Sequence, residues 1–123
     1  CPGLADCVDQ GELSGPHPRA LLERYLEPLL TAGADTLVLG CTHYPFLTPL
    51  IQRLAGPEVT ILDPSPAVAR QLRRRLEMAE LLADGRVAGG ERYFTSGIPE
   101  RTSQLVSRLL GHPVVVEALP AQA

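Results

Sequence analysis

Asp35-Thr36-Leu37-Val38-Leu39-Gly40-Cys41-Thr42-His43-Tyr44-Pro45 is the stretch that decides the fold. Thr36 to Leu39 is a short, partly β-branched apolar run, preceded by Gly33 and ended by Gly40. Bounded in this way, it reads as a buried strand of a parallel sheet. Gly40 is expected to let the backbone turn sharply, so that Cys41 follows the strand's C-terminal end. In open α/β sheets that edge is where ligands bind. A thiol, a hydroxyl (Thr42) and an imidazole (His43) thus arrive together on a site-forming edge. Pro45 fits the start of a helix over Phe46 to Leu54. A thiol near a helix N-terminus and a histidine has its pKa lowered from about 8.5 toward neutrality. The residues describe an activated cysteine, acting as a nucleophile or as a base.

Outward from this stretch the chain alternates helix and strand, the rhythm of an α/β fold. Upstream, Pro18 to Ala32 carries Leu21, Leu22, Tyr25, Leu26, Leu29 and Leu30 as one apolar stripe, which reads as a helix covering the sheet. Residues 1 to 19 are rich in Gly, Pro and acidic residues and read as loop. Downstream, Gly56-Pro57 closes the helix after the motif, and Val59 to Leu62 reads as the next buried strand. Asp63 is expected to help turn the chain there. Ser65 suits a helix cap and Pro66 the first helical position. That helix is expected to reach about Leu82, with Arg73-Arg74-Arg75 on a solvated surface.

Residues 83 to 91 read as a flexible loop and Arg92 to Thr95 as a strand. Thr95-Ser96-Gly97 turns the chain at its end, as a ligand-facing segment or as plain turn and capping residues. Pro99 to Leu110 reads as a helix stopped by Gly111, Val114 to Val116 as the centre of a last strand, and Pro120 to Ala123 as a tail.

Composition narrows the function. The chain has 123 residues, 45% hydrophobic and 20% charged, with net charge −3, as in an ordinary globular protein. It has no basic stripe, so no nucleic-acid partner is expected. No apolar run approaches the roughly 18 residues of a membrane span, so no membrane partner is expected. Three cysteines argue against a disulfide framework and for a reducing cytoplasm. All 11 cationic side chains are arginines, so no lysine is present to anchor pyridoxal phosphate as a Schiff base. No cofactor is expected. A zinc site from Cys1, Cys7, Cys41 and His43 matches no structural-zinc spacing, and no metal is expected either. The chain begins at Cys1 and its one methionine is Met78, so a fragment or processed piece is expected.

Leu39-Gly40-Cys41-Thr42-His43-Tyr44-Pro45 resembles the second cysteine motif of bacterial glutamate racemase, in the aspartate/glutamate racemase superfamily. Cys1-Pro2 followed by Val8-Asp9-Gln10-Gly11 is similar to the family's Cys-Pro…Val-Glu-x-Gly segment. Ile61-Leu62-Asp63 resembles its next strand. Phe94-Thr95-Ser96-Gly97 with Pro99-Glu100 resembles its late Thr-Ser/Thr-Gly segment. These landmarks follow family order over nearly the whole chain.

The resemblance implies a three-layer α/β sandwich with a mostly parallel sheet, part of a two-domain pseudo-symmetric fold. Residues 1–63 would belong to the second domain and residues 64–123 would return to the first, the N-terminal half of the enzyme being absent. It implies cofactor-independent conversion of L-glutamate to D-glutamate for peptidoglycan and cell shape, in the cytoplasm, with a homodimer as the candidate assembly. Cys41 would be the base that takes the α-proton, assisted by His43, with Thr42 and Gly40 binding substrate. Asp9 stands where the family carries a catalytic glutamate. The isolated chain is expected to be inactive and marginally stable.

The chemistry agrees with that role. An amino-acid α-carbon is a very weak acid, and a cofactor-free racemase places one base on each of its faces. Thiolates suit both positions because they are compact and tunable near neutral pH. Alternatives are a sibling racemase or isomerase acting on aspartate, hydantoins or maleate, a non-catalytic thiol or zinc-binding module, and a structural cysteine.

Overall fold

The computed structural model describes residues 1–83, 85 and 89–120. Asp84, Arg86, Val87 and Ala88 of the expected 83–91 loop, and residues 121–123 of the expected tail, lie outside the described residues. The chain divides into two compact units, Cys1–Ala83 and Asp84–Ala123.

The first unit runs α1 (Leu4–Asp9), α2 (Pro16–Thr31), β1 (Thr36–Val38), a 3-10 turn (Tyr44–Leu47), α3 (Thr48–Ala55), β2 (Thr60–Leu62) and α4 (Ser65–Met78). β1 and β2 pair in parallel, with Thr36 opposite Thr60 and Val38 opposite Leu62. The bond from Leu39 N–H to Leu62 C=O, 2.9 Å, carries the pairing one residue further toward the motif. The expected α/β arrangement with parallel strands is therefore present.

The first helix corrects the sequence reading, which took residues 1 to 19 as loop. Gly3 enters the helix with φ at 87°, a conformation open to glycine at little cost. Leu4, Cys7 and Val8 then fall at i, i+3 and i+4 and are buried together. This small stripe packs where α2 offers Leu22 and Leu26 and the 3-10 turn offers Leu47, all buried. The surrounding glycines and prolines masked a helix that burial holds in place. α2 likewise begins at Pro16, before the expected Pro18.

The strands also differ from expectation. Leu37 and Leu39 are buried, but Val38 is 66% exposed and Leu62 49% exposed. In this chain the strands are thus covered on one face only, whereas a fully buried strand was expected. Pro45 opens the 3-10 turn rather than an α-helix, and Pro49 takes the first turn of α3. At α4 the cap is not the hydroxyl of Ser65. Instead Asp63 Oδ1 accepts from Ser65 N–H at 2.9 Å, the turning role expected of Asp63.

The second unit contains β3 (Tyr93–Thr95), α5 (Pro99–Leu110) and β4 (Val116–Ala118), with β3 and β4 parallel. The last strand begins at Val116, the end of the stretch Val114 to Val116 expected as its centre. Two serines of α5 explain this. Ser107 Oγ accepts from Val114 N–H at 2.8 Å, and Ser103 Oγ accepts from Val116 N–H at 2.9 Å. The approach to β4 is therefore bonded to the helix, leaving the ladder to begin at Val116. α5 spans the expected Pro99 to Leu110, and Gly111 ends it with φ at 75°.

Candidate active site

The site is built where β1 ends. Leu39 closes the parallel pairing, and Gly40 and Cys41 follow without strand structure. Gly40 does not take the left-handed conformation, and a Cβ on it would meet nothing within 4 Å. The sharp turn expected of Gly40 is thus not what requires glycine; the open space beside it is the local feature. Tyr44 N–H bonds to Cys41 C=O at 3.2 Å and Phe46 N–H to His43 C=O at 3.2 Å. These two bonds fold the motif back on itself and lead into the 3-10 turn.

Cys41 is half-buried, with Sγ 3.7 Å from His43 Nδ1. Thr42 Oγ1 lies 3.3 Å from the same ring nitrogen. The other ring nitrogen, Nε2, lies 3.2 Å from Asp9 Oδ1 at the end of α1. The structure therefore brings Asp9, His43, Cys41 and Thr42 together, with Gly40 beside them.

An ionised carboxylate only accepts hydrogen bonds, so Asp9 holds the proton of neutral His43 on Nε2. Nδ1 is then left with its lone pair toward the thiol and the hydroxyl. In that tautomer the imidazole can take the proton of Cys41 and leave a thiolate. A carboxylate that orients an imidazole beside a nucleophile or base is a recurring arrangement on unrelated folds.

A cleft of about 530 Å³ opens beside the thiol. Leu39 to Thr42 form one wall, and Val68, Ala69 and Leu72 on α4 form the other. Its lining is mostly apolar with few polar groups, the usual makeup of a small-molecule site.

Two tyrosines hold the chain's first residues against this unit, and sequence reasoning assigned them no such part. Tyr25 Oη donates to Pro2 C=O at 2.9 Å and Tyr44 Oη donates to Cys1 C=O at 3.3 Å. Burial pushes the Tyr44 hydroxyl pKa up, and the charge of an ionised Cys41 adds to that shift. In the other unit, Thr95 Oγ1 accepts from Gly97 N–H at 3.0 Å, and Thr102 Oγ1 donates to Ile98 C=O at 3.0 Å. There the Thr95-Ser96-Gly97 segment serves as a turn ahead of α5. Among the described residues no helix is long and apolar enough to cross a membrane.

These features define an α/β segment that presents a carboxylate-oriented histidine and a cysteine at the end of a parallel strand. No family model matches the chain. It is 48% identical to the glutamate racemase of Pseudomonas aeruginosa over 119 residues, which are 97% of this chain and 44% of that protein. To the glutamate racemase of Pseudomonas putida it is 49% identical over 106 residues, 86% of this chain and 40% of that protein. Its fold superposes on a glutamate racemase isoform of Bacillus anthracis with a TM-score of 0.84 and 31% identity, over 98% of this chain and 45% of that one. A glutamate racemase of Thermus thermophilus, solved with β-chloro-D-alanine, gives a TM-score of 0.78 and 30% identity over 98% of this chain and 46% of that one. By sequence and by fold the chain is similar to part of these glutamate racemases. It spans less than half the length of the relatives it matches.

Proposed function

We propose that this chain is the part of a cofactor-independent glutamate racemase that carries one of its two catalytic bases. The observation that carries the reading is the array Asp9–His43–Cys41 at the mouth of the cleft beside β1. Asp9 fixes the tautomer of His43, His43 Nδ1 receives the thiol proton of Cys41, and the thiolate takes the α-proton of L-glutamate. A second thiol, from a part of the protein outside this chain, delivers its proton to the opposite face of the α-carbon. D-glutamate leaves with the two thiols in exchanged protonation states. Thr42 Oγ1 and the backbone at Gly40 bind the polar groups of the substrate. The apolar walls keep water from the carbanionic intermediate.

In this reading residues 1–63 complete one α/β domain and residues 64–123 return to the other. The bare surface of α4 fits a covering by the rest of the enzyme, since none of its residues is buried and Val68 and Leu72 stand exposed, although the first compact unit runs past α4 to Ala83. The uncovered outer face of β1 and β2 fits such a covering in the same way. The product supplies D-glutamate for peptidoglycan in the cytoplasm, and the assembly is a homodimer. A glutamate racemase of Francisella tularensis solved with D-glutamate, 23% identical with a TM-score of 0.79, shares the fold.

The test uses the protein expressed from its whole reading frame, incubated with L-glutamate in D₂O without added cofactor. Loss of optical activity with deuterium entering the α-position, abolished by Cys41→Ala, is the expected result. Exchange with aspartate and none with glutamate would move the chain to a sibling racemase. No exchange with any amino acid would sink the reading.

A further inference from the structure

A second cluster of reactive side chains lies away from Cys41, and it differs from the zinc set weighed from the sequence. Cys7 sits in the last turn of α1, Glu12 in the following turn and His17 in the first turn of α2. We propose that Cys7, Glu12 and His17 form a binding site for a divalent cation of the zinc class, with Cys7 Sγ, a Glu12 carboxylate oxygen and His17 Nδ1 as its protein ligands. This inference does not rest on the racemase reading.

The backbone builds the cluster. Gly11 N–H bonds to Val8 C=O at 2.8 Å, and Glu12 N–H bonds to Cys7 C=O at 2.7 Å. The second ligand residue is thus tied to the main chain of the first. Cys7 Sγ lies 3.7 Å from His17 Nδ1, and that nitrogen lies 3.4 Å from Glu12 Oε2. One ligand atom from each residue lies within 4.8 Å of the other two.

The nitrogen–oxygen separation is long for a hydrogen bond, which clusters near 3 Å. The two separations from His17 Nδ1 are also those of the edges of a metal tetrahedron. Ordinary zinc bond lengths put nitrogen and oxygen ligands about 3.4 Å apart, and sulfur and nitrogen ligands about 3.6 Å apart. One thiolate, one imidazole and one carboxylate also form a donor set that suits zinc rather than calcium or magnesium. The thiolate and the carboxylate together neutralise a dication.

Gly15 supplies an independent observation. A Cβ on Gly15 would sit 2.6 Å from Glu12 Oε1, so a larger residue there would push the carboxylate from its place beside His17. The backbone there is extended, with φ at −82°, so space and not conformation is what glycine provides. Cys7 is buried, whereas the His17 and Glu12 side chains are 60% and 35% exposed. The metal is therefore reached from solvent, and water completes the fourth position. Burial, then the charges of Glu12 and Asp6, push the Cys7 thiol up, so without metal it stays protonated. Binding converts thiol to metal thiolate and releases one proton. The ion would fasten α1 to α2, and α1 is the helix that ends at Asp9.

The experiment titrates cobalt(II), then zinc(II), into the chelator-treated protein expressed from its whole reading frame. The expected result is a thiolate-to-cobalt charge-transfer band saturating at one equivalent and displaced by zinc. It should persist in Cys41→Ser and vanish in Cys7→Ser. His17→Gln, at an exposed position, and Gly15→Ala, which crowds the Glu12 carboxylate, should each weaken binding about tenfold or more with circular dichroism unchanged. These two variants carry the test if the buried Cys7→Ser fails to fold. No charge-transfer band, a band lost with Cys41→Ser, or affinity unchanged in both His17→Gln and Gly15→Ala would overturn the proposal.

Discussion

His43 Nε2 lies 3.2 Å from Asp9 Oδ1, so the end of the first helix reaches the motif at the end of β1. The contact is half in solvent, with side-chain exposures of 36% and 62%. Its value is therefore in orientation rather than in stability, since exposed pairs contribute about 1 kcal/mol or less. Asp9→Asn should lower kcat about tenfold to a hundredfold with little change in KM, while leaving the melting temperature nearly unaltered. Asp9→Glu should recover most of the rate, because the carboxylate is restored. Steady-state kinetics with a thermal melt of each variant check this. Equal losses from Asn and Glu would show that the carboxylate does not act through His43.

The three thiols should react in an order set by burial and charge. Cys7 is 1% exposed and its thiol is pushed up by burial first and by Glu12 and Asp6 next, whereas Cys41 borders the cleft and Cys1 is exposed. Only a thiolate attacks an alkylating reagent, so Cys7 should be modified last. The sign of the linkage follows from the raised value. The folded state keeps this proton longer than the unfolded chain does. The stabilising effect is thus full below the unfolded thiol pKa and is lost as pH rises through the folded one. Partial iodoacetamide labelling read by mass spectrometry, with melts at rising alkaline pH, tests both. Early labelling of Cys7 would contradict them.

How much of this could be read from the sequence depends on whether a residue's role is local. The helix faces of α2, α3 and α5 were legible because their leucines recur at helical spacing. The strand ahead of Gly40 was legible because a short apolar run between glycines has few other outcomes. α1 was not, because Leu4, Cys7 and Val8 are too few to outweigh the Gly and Pro around them until α2 and the 3-10 turn bury them. The pairing of Cys41 with His43 could be read from adjacent positions. A family resemblance marked Asp9 as a site residue but not its reach to His43, and the meeting of Cys7 with His17 came through neither route, since a turn between helices brings them together. Exposure of Val38 and Leu62 was invisible for a different reason: composition marks a strand as apolar without saying which faces this chain covers.

Acid should loosen the entry to α4 through one carboxylate. Bonds from the hydroxyl and the backbone N–H of Ser65 hold the Asp63 pKa below the usual carboxylate range. The folded value is depressed, so the contribution is present above the unfolded pKa and is lost as pH falls through the folded one. Amide exchange at the first turn of α4 should therefore quicken in acid. Asp63→Ala should show the quick rate at neutral pH already. Nuclear magnetic resonance on the labelled protein reads both, and an unchanged Ala variant would assign the turn to Pro64 and Pro66 alone.

The second unit depends on hydroxyls that a hydrophobic reading overlooks. Ser103 Oγ accepts from Val116 N–H at 2.9 Å and donates to Pro99 C=O at 2.8 Å. Val116 is buried, so Ser103→Ala leaves a main-chain donor without its acceptor, at a cost of about 1–3 kcal/mol. Ser103→Thr keeps the hydroxyl and should lose less. Chemical denaturation compares them, and an alanine variant as stable as wild type would mean that water satisfies Val116.

The isolated 123-residue chain should not racemise glutamate, and it should melt at low temperature with weak cooperativity. Two-base exchange at an α-carbon needs an acid on one face and a base on the other. Cys41 lines the cleft beside β1, and neither Cys1 nor Cys7 is among the residues that line it. Physical stability points the same way. Val38, Leu62, Val68 and Leu72 are all exposed at 49% or more, a set of apolar side chains that burial elsewhere in a larger protein would cover. Deuterium uptake into the α-position and a calorimetric melt of the chain alone are the measurements. Uptake that depends on Cys41 would mean that one thiol and the solvent suffice. A sharp monomeric transition at high temperature would mean that the covered face of the strands is enough for the chain to stand without a partner domain.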